Sequence, residues 1–314
     1  MIVYKFGGKS LSTKEKVNSV CDYISKKAVQ TKIIVVVSAF GGETDKLCEL
    51  YADYGGIGES REKDALLSTG ETRAAALVAT VLCSKGVKAM SLQASQAHIF
   101  AMGAYGKAVI TEIGTACIKE LLKEHDVLVV TGFQAINSSG DVVTVGRNGS
   151  DISAVAIGSA LNCEVEIYSD FDGLFSGDPR NFKYKKIECI NYSTLEKIAN
   201  CGSGVVAKRT ATIAKKSNIK LKLKGSDSKY GDGTLVSDAI HGAVCIVRID
   251  HLSKISIIFE RQPEKLNKTA EYIVKNVNFY SFLIKNDTIE LIIDEKSSKE
   301  LELAIAKINN LIEV

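Results

Sequence analysis

Five β-branched residues in a row, Ile33–Val37 (IIVVV), constrain this chain more than any other stretch. A strand with one wet face alternates apolar and polar side chains, whereas one that is apolar at every position is buried on both faces. Ile33–Ala39 reads as such a strand and ends in Gly41-Gly42. Val3–Phe6, Val87–Leu92, Val127–Thr131 and Glu164–Ser169 read in the same way. Segments of helical spacing lie between them. Ser12–Val29 has a Ser/Thr cap, Glu15 near its start, and apolar residues at 17, 20, 21 and 24. Lys63–Lys85 is rich in alanine and leucine and ends at Gly86, and Ser150–Leu161 is another alanine-rich helix. Buried strands separated by helices imply right-handed βαβ crossovers. The expected fold is therefore α/β, a three-layer α/β/α sandwich around a mainly parallel central sheet. Such sheets bind ligands at the carboxyl ends of their strands. Gly7-Gly8, Gly41-Gly42 and Asp172-Gly173 all fall there.

The pattern changes after Gly225–Thr234 (GSDSKYGDGT), which reads as loop. A short strand at Leu235-Val236 and a linker at Ser237–Gly242 follow. Beyond them the order is strand Ile255–Glu260, helix Glu264–Lys275, strand Asn278–Ile284, turn Asn286-Asp287, strand Thr288–Ile293 and helix Ser298–Leu311. This βαββα order is that of a small ferredoxin-like α+β module without its last strand. An uncovered sheet edge pairs with another strand. Either Ala243–Ile249 fills the vacancy or a second subunit does, and a homodimer joined partly through this module is expected. The domains expected are 1–238 and 243–314.

Composition narrows the function classes. A chain of 314 residues is long enough for about two domains. Forty basic and thirty-seven acidic side chains leave a net charge of +3, which gives no basis for a nucleic-acid partner. No apolar run reaches the ~18 residues of a membrane span, and the opening MIVYKFGG lacks the features of a signal peptide. The eight cysteines form no C-x-x-C pair, so they read as reduced thiols of a cytoplasmic protein. The four histidines are equally dispersed, and no metal-ligand cluster is expected.

Familiar nucleotide signatures fail. A P-loop around Gly106-Lys107 would need residues other than Ala101 and Ala108, and a dinucleotide fingerprint at Gly202 would need glycine at Ala207. The positive signals are turns suited to anions. Lys5-Phe6-Gly7-Gly8 ends the first strand, where glycine amides and a lysine can meet a phosphate; a plain strand-to-helix turn reads equally from these residues. TVGRNGSDIS at 144–153 sets Arg147 beside a helix start that Ser150 or Asp151 can cap, which is either an anion site or a capped surface helix. YSDFDGLFSGDPR at 168–180 offers polar strand-end residues, an aromatic and an arginine, as a nucleotide crevice or as ordinary turns. Glu71, within STGET, reads by itself as a solvated helix residue.

In this order and spacing the segments resemble the amino-acid kinase family, and specifically its aspartate kinases. KFGGKS at 5–10, VVSAFGGETDKL at 36–47, STGE at 68–71 and VTGFQ at 130–134 are similar to the family's motifs. So are TVGRNGSD at 144–151, YSDFDGLFSGDPR at 168–180 and GDGTLV at 231–236. The resemblance covers residues 2–238, and the C-terminal module resembles an ACT domain. It implies transfer of the γ-phosphoryl group of ATP, with Mg²⁺, to the side-chain carboxylate of L-aspartate. It also implies roles for individual residues. Lys5 would hold the transferring oxygens, with Phe6, Gly7, Gly8 and Ser10 along the turn, and Asp151 would position Lys5. Arg147 would pair with a substrate carboxylate, helped by Thr44, Phe133 and Ser150, while Glu71 would take the substrate ammonium. Ser169, Asp170, Phe175 and Arg180 would line the nucleotide site. Mg²⁺ would bind through ATP phosphates and water, with no protein metal ligands.

The sequence departs from the family in three places. Lys9 stands where threonine is usual. GSGVVAKR at 202–209 puts Gly204 where relatives have an ATP-site lysine, leaving Lys208 as the nearest substitute. One incomplete ACT-like unit replaces the usual two, which predicts weak or absent feedback by lysine or threonine. The first two departures keep open a paralogue that binds without turnover. A same-fold kinase for another acidic amino acid is the other alternative.

Overall fold

The computed structural model describes residues 1–203, 206–226, 232–249 and 252–313. In chain order the first elements are β1 (Ile2–Phe6), a 3₁₀ turn (Gly8–Leu11), α1 (Lys14–Ala28), β2 (Ile33–Val37), α2 (Glu43–Asp53) and α3 (Arg61–Ser84). Next come β3 (Ala89–Leu92), β4 (Ile99–Met102), β5 (Val109–Ile113), α4 (Thr115–Glu124), β6 (Val127–Thr131), β7 (Gln134–Ile136) and β8 (Val142–Thr144). They are followed by α5 (Gly149–Leu161), β9 (Glu164–Ser169), β10 (Leu174–Phe175), β11 (Lys186–Ile187), β12 (Cys189–Asn191), α6 (Tyr192–Asn200) and α7 (Lys208–Ser217). The remainder is β13 (Leu221–Gly225), β14 (Thr234–Ser237), β15 (Val244–Ile249), β16 (Lys254–Phe259), α8 (Pro263–Asn276), β17 (Ser281–Lys285), β18 (Thr288–Ile292) and α9 (Glu295–Ile308). The chain forms two compact units, Met1–Asp172 with Ile219–Gly231, and Gly173–Asn218 with Asp232–Val314.

The first unit holds a sheet of order β13-β9-β1-β2-β6-β3. Every neighbouring pair in it runs parallel. All five residues of β2 are buried, as its continuous apolar run requires. Alternation along β1 sends Tyr4 and Phe6 into one core layer with α1 and α3. Lys5 therefore faces the opposite side. The α1 stripe of Val17, Val20, Cys21 and Ile24 is buried as its spacing predicts, and Thr13 caps the helix by accepting from the Lys16 amide. Ser60 caps α3 in the same manner. Helix α3 has the length and composition of a membrane span, but half of its most apolar window is packed inside the unit, as in a core helix. A second, four-stranded sheet (β5-β4-β7-β8) and helices α2 and α4 were not legible as elements in the sequence.

In the second unit the antiparallel sheet has the order β15-β16-β18-β17. The strand missing after α9 is supplied from the chain itself: β15, within Ala243–Ile249, pairs along β16. Of the two expectations for that edge, the intrachain one holds, so it no longer argues for a second subunit. Ile255, Ile257, Phe259, Ile273, Ile289 and Ile305 form the core beneath helices α8 and α9. The hairpin β10–β11 belongs to the same unit, and Tyr184 beside it is buried in that core.

Candidate active site

Strand β1 delivers Lys5 to the carboxyl end of the first unit's sheet, facing α5. The first turn of that helix supplies Asp151, and the Lys5 Nζ lies 2.6 Å from its Oδ1. Immediately after Lys5 the backbone turns through Gly7 and Gly8. A Cβ on Gly8 would stand 2.6 Å from the carbonyl oxygen of Ala39, so the turns after β1 and β2 approach closely enough to exclude any side chain there.

Helix α5 starts from a left-handed Asn148 (φ 56°), directly after Arg147. Arg147 is exposed and makes no ion pair among the described residues. Ser150, buried in the first turn, accepts a hydrogen bond of 2.9 Å from the Ser38 hydroxyl at the end of β2. A guanidinium beside a helix N-terminus is suited to an anionic ligand.

Glu71 lies on α3 and is 2% exposed. Its Oε1 accepts from the Ala39 amide at 3.0 Å, while Oε2 has no hydrogen-bond partner among the described residues. Burial pushes its carboxyl up to about 7, against the lowering effect of the Ala39 amide, and nearby Glu43 raises it further. The reading of Glu71 as a solvated helix residue is thus corrected: it sits on the buried face of α3. A cation entering the cleft would meet its free oxygen.

These parts line one cleft of about 530 Å³, which holds Lys5, Gly7, Gly8, Thr44, Glu71, Phe133, Arg147 and Ser150. The structure so brings together eight residues chosen from the sequence. Asp151 stands behind Lys5. Phe133 is half-buried with φ 67°, and its amide donates to Ser153 Oγ at 3.1 Å. Phe6 does not line the cleft; its buried ring stacks on Tyr168 at 4.6 Å. Ser10 is buried, and its hydroxyl has no hydrogen-bond partner among the described residues.

Ser169 and Asp170 end β9 in the same unit. Asp170 is paired with Lys9 at 2.6 Å, so the residue that departs from the family pattern contacts one proposed for the nucleotide. Phe175 and Arg180 belong to the second unit; Phe175 packs on its core, and Arg180 pairs with Asp178. Gly204 lies outside the described residues, and Lys208 opens α7. Sequence reasoning missed Ser38, Glu59 and Lys63, which also line the cleft, and the buried Asp64. Their signal was slight: a serine at a strand end, and charges in the first turn of a helix.

The fold agrees with comparisons against known proteins. Residues 1–225 match the Amino acid kinase family. The chain belongs to that family, within its aspartokinase branch. It is 34% identical to an aspartokinase of Geobacillus stearothermophilus over 306 residues, covering 96% of this chain and 74% of that protein. To the aspartokinase of Corynebacterium glutamicum it is 36% identical over 244 residues, 76% of this chain and 58% of that protein. Among solved structures, E. coli aspartokinase III in complex with aspartate and ADP superposes with a TM-score of 0.70 at 20% identity, over 98% of this chain and 84% of that one.

Proposed function

We propose that this chain is an aspartate kinase, transferring the γ-phosphoryl group of MgATP to the side-chain carboxylate of L-aspartate. The products are 4-phospho-L-aspartate and ADP, the first step of a route toward lysine, threonine and methionine. One observation carries the reading. A single cleft presents Glu71, with an unpartnered buried oxygen, together with Arg147, Ser150 and the Lys5 turn. An α-amino acid bearing a second carboxylate matches that set: ammonium to Glu71, carboxylate to Arg147, and the reacting carboxylate toward Lys5.

The acceptor is already ionised at neutral pH, with a free pKa near ~4, so no general base is required. A carboxylate oxygen forms the new bond to the γ-phosphorus while the bond to the β–γ bridging oxygen breaks and leaves with ADP. The obstacle is repulsion between two anions, which positioned cations and amides reduce. Lys5, held by Asp151, meets charge on the transferring group. Gly7 and Gly8 bring backbone to the phosphates, with Phe6 and Ser10 in the same turn, and Thr44 and Phe133 bound the amino-acid side. Ser169 and Asp170, at the end of β9, line the nucleotide side. Mg²⁺ would be held by ATP phosphate oxygens and water and would neutralise their charge. Of the carboxylates that line the cleft, Glu59 pairs with Lys63 and Glu71 accepts from the Ala39 amide.

The division into a catalytic part, 1–238, and an ACT-like part, 243–314, is supported by the family match ending at 225. A homodimer is part of the same reading. In the order β15-β16-β18-β17 both β15 and β17 are outer strands, and Tyr280, Leu283 and Ile284 beside or on β17 are exposed. A mass of one chain by light scattering at all concentrations would rule the dimer out. Eight unpaired cysteines suit a reducing cytoplasm.

The direct test is aspartyl hydroxamate formation with ATP, Mg²⁺ and aspartate. Activity that disappears in Arg147→Ala is the expected result. Nucleotide and aspartate binding with no hydroxamate would make the chain a binding paralogue instead.

A further inference from the structure

A buried carboxylate outside the roles above ties the two ends of the amino-acid site together. Asp64 is 0% exposed and sits in the first turn of α3, seven residues before Glu71 and so on the same side of that helix. Its Oδ2 accepts from the amides of Thr144 (2.7 Å) and Gly106 (2.9 Å), and its Oδ1 accepts from the Thr144 hydroxyl (2.8 Å). Thr144 ends β8, three residues before Arg147. Between them Gly146 has φ 84°, and a Cβ there would stand 3.1 Å from the Gly106 oxygen. The two segments that Asp64 grips are therefore the ones that aim the Arg147 turn.

We propose that Asp64 is a positioning residue that sets the separation between the ammonium receptor, Glu71, and the carboxylate clamp, Arg147. It thereby fixes the ammonium-to-carboxylate spacing of the amino acid the cleft accepts. The inference rests on the aspartate-kinase reading. A rigid bond from helix to turn holds the two receptors at one spacing. Without it the Arg147 turn has two backbone donors and a hydroxyl released, and the spacing relaxes. An asparagine can reproduce the network: its carbonyl oxygen takes the two amides, and its NH₂ donates to the Thr144 hydroxyl, which reverses its role.

The experiment compares wild type, Asp64→Ala, Asp64→Asn and Thr144→Val with aspartate and with 3-aminoglutarate, whose clamped carboxylate lies one methylene farther from its ammonium while the reacting one keeps the spacing of aspartate. Asp64→Ala should raise the KM for aspartate roughly tenfold or more and bring the aspartate-to-3-aminoglutarate ratio of kcat/KM toward unity. KM for ATP should stay close to wild type. Asp64→Asn should restore both quantities, and Thr144→Val should move them in the alanine direction by a smaller factor. A lowered melting temperature or active fraction with unchanged KM and ratio would mean a merely structural carboxylate and overturn the proposal. So would an asparagine as damaging as the alanine. If the alanine variant does not fold, Thr144→Val decides, and an unaltered KM and ratio in it overturn the inference. Calorimetric binding separates the two levels. A wild type that neither binds nor phosphorylates aspartate removes the functional reading and this inference together. A working wild type with indifferent variants removes this one alone.

Discussion

The ammonium of Lys5 lies 2.6 Å from a carboxylate oxygen of Asp151, with only 12% and 8% of the two side chains exposed. Strand β1 and helix α5 are brought together at the point where a phosphoryl group would be transferred. A flexible four-carbon stem is thereby held in one orientation, at little reorganisation cost during the reaction.

Removing the charge of Asp151 should release that orientation while leaving the Arg147 and Glu71 receptors in place. Asp151→Asn is expected to lower kcat by about 10–100-fold, with a smaller change in KM for aspartate. Lys5→Met should abolish turnover. Steady-state kinetics of purified variants check both, and an unchanged kcat in Asp151→Asn would separate this pair from the chemistry.

Glu71 gives a pH signature in both binding and stability. Its carboxyl is raised from the ordinary 4.5 to about 7, chiefly by burial. Below pH 7 the group is mostly neutral and a poor receptor for an ammonium. The kcat/KM for aspartate should therefore rise as pH climbs toward 7 and level off above it, whereas KM for ATP should not follow. The stability effect has the opposite sense. A carboxyl with a folded value above its unfolded one contributes stability that is fully present below the unfolded value and lost as pH rises through the folded value. Glu71→Gln should therefore melt several degrees higher than wild type at pH 8 and no higher near pH 4. Equal melting temperatures at pH 8 would show that the carboxylate is not penalised by its burial.

The parallel sheet and most of the cleft were readable because each rests on local rules. Continuous apolar runs such as Ile33–Val37 can only be strands buried on both faces, and glycines after them mark strand-end turns. The order of motifs picked out Arg147, Ser150 and Lys5, which line one cleft. What escaped depends on tertiary pairing. Helix α2 has no fully buried residue and therefore no clear apolar stripe. The strands β7 and β8 have three residues each, too short to show a period. The value of Asp64 lies in partners 42 and 80 residues away, which no local pattern reveals. The edge strand β15 was seen as a candidate, but only its ladder with β16 decides between it and a partner chain.

Gly8 tests whether close approach of the strand-end turns is required. A methyl group there would meet the Ala39 carbonyl at 2.6 Å, backbone against side chain, with no flexible group to yield. Gly8→Ala should push apart the turns after β1 and β2. The Ala39 amide that holds Glu71 lies in the second of these turns. We expect at least a tenfold loss of kcat/KM and a melting temperature lower by several degrees. Differential scanning fluorimetry alongside kinetics measures both. Wild-type values for each would show that the turn relaxes without consequence.

The second unit carries a buried ionic knot whose disruption should be costly. Glu302 on α9 is 1% exposed; it accepts a hydrogen bond of 2.7 Å from the Tyr184 hydroxyl and pairs with Arg248, whose side chain is 5% exposed. Burial raises the Glu302 carboxyl, while the Tyr184 hydroxyl and Arg248 act against that. The tyrosine precedes β11, the arginine lies on β15, and the carboxylate comes from α9, so three separate segments converge on one charge. Deleting one partner of such a pair strands the other without water. Glu302→Leu should therefore destabilise the unit by about 3–5 kcal/mol. Tyr184→Phe removes a single hydrogen bond to a charged group and should cost about 1.5–3 kcal/mol. Urea unfolding followed by tyrosine fluorescence distinguishes the two. If Glu302→Leu costs no more than Tyr184→Phe, the arginine has found water or another anion, and the carboxylate is not what keeps β15 against α9.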